Sequence, residues 1–118
     1  MKINPKLTPL ETSSVSLSST YFDEIDFNSA TKIGNVVEVS IRARIKANVP
    51  GNTPIMTLPY KSIYNGGNGG EIPMYLGGKY DYSGGLLWGY IDDKEVRTEA
   101  ITATGQFLKV QFTYITPE

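Results

Sequence analysis

The stretch Asn35-Val36-Val37-Glu38-Val39-Ser40-Ile41-Arg42-Ala43-Arg44-Ile45-Lys46-Ala47 decides the fold. Val37, Val39, Ile41, Ala43, Ile45 and Ala47 alternate with Glu38, Ser40, Arg42, Arg44 and Lys46. A period of two sends successive side chains to opposite faces, so this is a strand with one face buried and one wet. Gly34-Asn35 just before it reads as a turn from a short strand at 30–33, and Pro50-Gly51-Asn52 ends it.

The end of the chain repeats the pattern. Leu108, Val110, Phe112 and Tyr114 share one face; Lys109, Gln111 and Thr113 share the other. Gly105-Gln106 reads as a turn from a preceding strand over 95–104, which predicts a C-terminal hairpin. Further strands are predicted at 14–21, 24–28, 55–58, 71–76 and 86–91. No window shows an apolar stripe of period 3.6 between helix caps. Many short strands separated by turn signals predict an all-β fold: an antiparallel β-sandwich, jelly-roll-like in its connections, over 13–118. Residues 1–12 are polar, carry Pro5 and Pro9 and show no period. They read as a linker or tether from an upstream segment, or as a frayed terminus.

Composition removes whole classes of function. A chain of 118 residues is about one domain. With 40% hydrophobic and 19% charged residues it can bury a modest core, which excludes wholesale disorder. Eleven basic against twelve acidic residues, a net charge of −1, argues against nucleic acid as a partner. No apolar run is long enough to span a bilayer, so no membrane insertion is expected, and Met1-Lys2-Ile3-Asn4-Pro5 lacks the apolar core of a secretion signal. Cysteine and histidine are both absent. That removes disulfides, thiolate nucleophiles, the commonest general base and the commonest transition-metal ligand.

The motifs that could carry chemistry are few. The run Asn65-Gly66-Gly67-Asn68-Gly69-Gly70 has no following Lys-Ser/Thr, and Gly77-Gly78-Lys79-Tyr80 lacks the spacing and hydroxyl of a phosphate loop. Both read as turns. Carboxylates occur as Asp23-Glu24-Asp26, Asp81 and Asp92-Asp93 with Glu95. Asp92-Asp93-Lys94 reads as a hairpin turn. Nothing in the spacing pairs two acids across a glycosidic bond, and the oxygens lack EF-hand spacing for calcium. No catalytic residue, metal or cofactor is therefore expected. Arg42, Arg44 and Lys46 form a basic stripe, either a solvated sheet face or an interface whose acids come from a neighbouring subunit.

Aromatic residues concentrate in the middle. Residues 60–90 hold six of the eight tyrosines and the only tryptophan, amid nine of the twelve glycines. Trp88 and Tyr90 flank Gly89 and share a sheet face; Tyr80 and Tyr82 alternate around Asp81 in the same way. Rings on a rigid sheet beside planar polar groups suit a saccharide, whose C–H faces stack while its hydroxyls hydrogen-bond. The candidate site is Trp88, Tyr80, Tyr82, Tyr64 and Tyr90 as platforms, with Asn65, Asn68, Asp81 and Asp92 as polar partners. The alternative is that Trp88 and some of the tyrosines are core.

Three segments carry a family resemblance: Lys32-Ile33-Gly34-Asn35-Val36-Val37-Glu38-Val39, then Thr57-Leu58-Pro59-Tyr60, then Gly105-Gln106-Phe107 with Phe112-Thr113-Tyr114-Ile115. Over about 20–116 the chain resembles the C-terminal head domains of tail-fibre and baseplate receptor-binding proteins from phages and prophages of Gram-positive bacteria. It departs from their pattern at Ala30-Thr31, where an aromatic often stands, and in the Gly/Tyr-rich middle, so no ligand residue carries over by motif. The resemblance implies a jelly-roll-like homotrimer at a phage tail tip or baseplate. It would attach to upstream fibre or baseplate segments and bind a host cell-wall saccharide outside the cell. A knob that trimerises and caps a fibre without binding is the second expectation; a small glycan hydrolase is the third.

Overall fold

A computed structural model of the chain describes residues 10–65 and 70–118. Nine strands form among them: β1 (Leu10–Ser14), β2 (Ser16–Leu17), β3 (Phe22–Ile33), β4 (Val36–Ile45), β5 (Thr53–Thr57), β6 (Glu71–Gly77), β7 (Gly85–Asp92), β8 (Glu95–Thr98) and β9 (Phe107–Ile115). No helix occurs among the described residues. All pairings are antiparallel, in the order β1-β3-β4-β9-β6-β7-β8-β5-β2.

The all-β antiparallel expectation holds. The strands, however, make one continuous, nearly closed sheet, more a barrel than two facing layers. The two ends of that order are consecutive in the chain. β1 and β2 are separated only by Val15, which is fully buried. Val15 donates its N–H to Asn28 O (2.8 Å) and accepts from Asn28 Nδ2 (2.7 Å), while Ser18 N–H reaches Ile55 O (2.9 Å). One extended segment thus pairs with β3 through its first half and with β5 through its second. Closure of this kind shields sheet edges that would otherwise template aggregation.

β4 lies at the centre of the fold. Val37, Val39, Ile41, Ala43 and Ile45 are buried as the alternation predicts. On β9, Leu108, Val110 and Tyr114 meet them from the neighbouring strand, in the register Ile41↔Val110 and Val37↔Tyr114. The β3–β4 hairpin turns on Gly34, whose φ of 60° suits the first central position of a two-residue turn. β3 is longer than predicted and merges the stretches expected at 24–28 and 30–33.

Two predicted features are corrected. Gly105-Gln106 does turn the chain, but β9 does not pair with the strand before it. β8 stops at Thr98, the chain bridges Val49↔Ile101, and β9 then inserts between β4 and β6. Apolar alternation marks a strand without naming its partner, so a sequence-adjacent turn was a weak guide to pairing. Of the stretch read as a tether over 1–12, Leu10-Glu11-Thr12 belong to β1, and 1–9 lie outside the described residues.

Ile41→Ala removes a buried branched side chain from the middle of β4 and is expected to cost about 2–5 kcal/mol in urea unfolding. Asn28→Ala removes the bond that holds Val15 at the closure and is expected to cost about 1–2 kcal/mol. An unchanged midpoint for either would show that the central strand or the closure is not where stability resides.

Candidate functional site

The aromatic residues divide by location. Trp88 and Tyr90 point outward from β7 because Gly89, between them, faces the interior; a Cβ there would meet Arg97 O at 2.7 Å and the Met74 methyl. Trp88 is 48% exposed, so it is not core. With Tyr90, Asn52, Glu71, Thr98 and Glu99 it lines a groove of about 570 Å³. Cross-strand pairing sets Glu71 beside Tyr90, and Glu99 Oε1 accepts the Trp88 backbone N–H at 3.2 Å. The Tyr90 hydroxyl donates to Asn52 Oδ1. Thr98 is buried in the same groove, and its hydroxyl makes no hydrogen bond among the described residues. Ring faces, two exposed carboxylates and an amide therefore converge, a set of acceptors suited to a ligand rich in hydroxyls.

Tyr80 and Tyr82 are 80% and 66% exposed and also lie outside the core. Their alternation does not come from a strand. They stand on the β6–β7 loop, which Asp81 organises. Its Oδ1 accepts the N–H of Gly78 (2.8 Å), the N–H of Ser83 (3.1 Å) and the Ser83 hydroxyl (2.8 Å). These bonds to Ser83 and Gly78, with the charge of Lys109, pull the Asp81 carboxyl from 3.8 down to about 2. Asp81 thus organises the turn through Oδ1, and its Oδ2 makes no hydrogen bond among the described residues. Gly77 is required beside it, because a Cβ there would lie 2.6 Å from Asp81 O.

Tyr82 packs edge-on against Tyr75, with ring centres 5.4 Å apart. Together they wall a second cleft of about 550 Å³, whose floor includes Val110 and Ile41 and whose polar groups are Ser40, Arg42, Lys109 and Gln111. Pro73 joins the two grooves: it pairs with Trp88 across β6–β7 and lines the second cleft.

The remaining predicted residues stand apart. Tyr64 packs partly against the core, and its carbonyl accepts the Asp93 N–H, at the β7–β8 turn. Asp92 lies beside that turn, opposite Glu95, on the outward face of β7 but outside the groove. Asn65 is exposed and lines neither groove; Asn68 lies outside the described residues. Sequence reading missed Asn52, Glu71 and Glu99 beside Trp88; Tyr75, beside Tyr82, belongs to the aromatic concentration at 60–90 but was not among the candidate site residues. Glu71 and Tyr75 alternate with buried residues of β6, a signal that placed them on the outer face without revealing their neighbours.

Two of the three cations of the basic stripe find their acids within the chain. Arg42 Nε binds Asp26 Oδ2 and Arg44 Nη1 binds Asp23 Oδ2, each at 2.8 Å, from the adjacent strand β3. It therefore carries no argument for a neighbouring subunit. Among the described residues no group of three or more acids is arranged to hold a metal ion. Among the described residues no helix is long and apolar enough to cross a membrane.

No protein-family model matches this chain, and no curated protein matches it. Its function must be read from the side chains themselves.

Asp81 has its folded pKa lowered, so its hydrogen bonds stabilise the loop fully above about 3.8 and are lost as pH falls toward about 2. The amide resonances of Gly78 and Ser83 should titrate in that window while those of β4 do not. Asp81→Ala should release the loop at neutral pH without unfolding the barrel. Gly78 and Ser83 resonances that titrate near 3.8 instead would show that the carboxylate does not hold this loop.

Proposed function

We propose that this chain is a receptor-binding head of a phage tail or baseplate protein, acting as a homotrimer on a host cell-surface saccharide. The observation that carries the reading is the placement of Trp88. A half-exposed indole on a rigid outer sheet face, with Tyr90, Glu71, Glu99 and Asn52 around it, is what stacking plus hydroxyl recognition requires. A domain with no ligand gains nothing by keeping Trp88, Tyr75, Tyr80 and Tyr82 in water; such surface apolar groups are characteristic of binding sites.

Self-association has its own support. Leu10↔Ile33, Ile33↔Val36 and Val36↔Ile115 are neighbours in register across β1, β3, β4 and β9, and Ile63 N–H bonds Ile115 O at the end of the row. These five aliphatic side chains are 44–64% exposed. Three copies closed about an axis would cover such rows without leaving an open end. The same row favours the second reading, a capping knob that assembles but binds nothing.

A single sugar should bind weakly, and three sites on one head would supply avidity. On a glycan array the chain should retain a restricted set of saccharides, and Trp88→Ala should lower that binding about tenfold or more with an unchanged unfolding midpoint. Light scattering should give three times the chain mass. A trimer silent on every glycan would leave the knob. Released reducing ends would make the chain a hydrolase, with Glu71 and Glu99 the acids to test. A Trp88→Ala variant that unfolds would make the indole structural.

A further inference from the structure

The cleft between β6 and β9 differs in polarity from the Trp88 groove. β6 pairs with β9 only over Tyr75–Gly77 against Phe107–Lys109. The next outward position on β6 is Pro73, which has no N–H to continue a ladder. The sheet opens there, and the cleft sits in the opening, with Tyr75 and Tyr82 on one side and Phe27 on the other.

One register row crosses it: Phe27↔Arg42, Arg42↔Lys109 and Lys109↔Tyr75. Two cations thus stand directly opposite each other on neighbouring strands, each offset by a carboxylate of the chain, Asp26 at Arg42 and Asp81 near Lys109. The nearby carboxylates are already engaged. Asp26 holds Arg42 Nε and lies 3.3 Å from Lys79 Nζ, and Asp81 is bonded into its own loop. The donors are not used up. Arg42 makes its one hydrogen bond through Nε; its guanidinium lies 4.9 Å from the Phe27 ring centre and 5.2 Å from that of Tyr80, and both terminal nitrogens are without a hydrogen bond among the described residues. Lys109 donates to Gly78 O at 2.8 Å and lies 4.4 Å from the Tyr82 ring centre, so two of its three protons remain. The Gln111 amide and the Ser40 hydroxyl make no hydrogen bond among the described residues and line the same cleft.

We propose that this cleft binds an oxyanion, a carboxylate or phosphate, carried by a saccharide that rests against Tyr75 and Tyr82. The Arg42 fork suits two oxygens of one such group, and Lys109 adds a point charge from the next strand. The inference deepens the saccharide reading and rests on it for the sugar portion. Arg42 on β4 and Trp88 on β7 both face outward, with β9 and β6 between them.

The test is a titration of the full, isotope-labelled chain with glucose, glucuronate, glucosyl phosphate and inorganic phosphate, followed by backbone and indole resonances. At least one of the two acidic sugars should move the Tyr75, Lys109 and Gln111 amides at about tenfold lower concentration than glucose, and salt should weaken the effect. The tighter of the two identifies the group as carboxylate or phosphate. Lys109→Gln, and Arg42→Lys, which keeps the charge and loses the fork, should each remove most of that advantage. The inference fails if glucose moves the same amides equally well, or if both variants keep the advantage. If glucose moves the Trp88 indole while no anion moves the cleft, this inference falls and the saccharide reading stands. If inorganic phosphate matches glucosyl phosphate at the cleft while no sugar moves the indole, the anion site stands and the saccharide reading falls.

Discussion

Everything in this fold depends on one short segment serving both ends of the sheet. Residues 10–17 run as a single extended piece interrupted at Val15. Its first part pairs with β3 and its second with β5. Buried Val15 is held from both of its backbone groups by Asn28. The closure fixes which way the remaining strands curve, and the core fills the space it encloses. Val37, Val39 and Ile41 from β4 meet Leu108 and Val110 from β9. Met74, Ile91 and Val96 close the opposite wall. A small domain without disulfides has little stability to spare, so continuous pairing around the sheet is the economical solution.

The outer surface is shaped by two residues that lack something. Gly89 has no side chain, and this lets β7 lie close to Met74 and the Arg97 carbonyl while its neighbours Trp88 and Tyr90 face out. Pro73 has no amide proton, and the β6–β9 ladder covers only the residues beyond it. A groove forms at each place. Their chemistry is opposite: carboxylates and an amide oxygen surround the indole, while a guanidinium, an ammonium and an amide line the second cleft. The two lie on one sheet face with Pro73 between them, so a ligand long enough to touch both would be read for polarity along its length.

Local charge pairing explains why so basic a strand face is tolerated. Arg42 and Arg44 each have a carboxylate one strand away, and Asp26 also engages Lys79 from the β6–β7 loop. The Lys79 ammonium is raised above its usual range, chiefly by that Asp26 bond. These contacts tether the loop that carries Tyr80 and Tyr82 to β3. The surface pairs are solvated and contribute little to stability individually. Their effect is positional: they keep the aromatic loop over the cleft and leave the terminal nitrogens of Arg42 uncommitted.

Much of this was legible in the chain before any coordinates. Alternation at 35–47 and 107–115 dictated two strands and which of their residues are buried, because a strand exposes every second side chain to one medium. Gly34-Asn35 and Asp92-Asp93-Lys94 marked turns, because each places a residue, Gly34 or Asp93, where φ is positive. The aromatic concentration at 60–90 marked residues that line grooves on the outer surface, Trp88 and Tyr90 in one and Tyr82 in the other. Partnership was not legible. Whether β9 pairs with β8 or slots between β4 and β6 depends on contacts between residues thirty or more positions apart, and no local period encodes them. The same holds for the site. Asn52, Glu71 and Glu99 join Trp88, and Asp81 ties its own loop through Gly78 and Ser83. Hydrogen-bond partners are settled by distance in three dimensions, and only the closed sheet sets those distances.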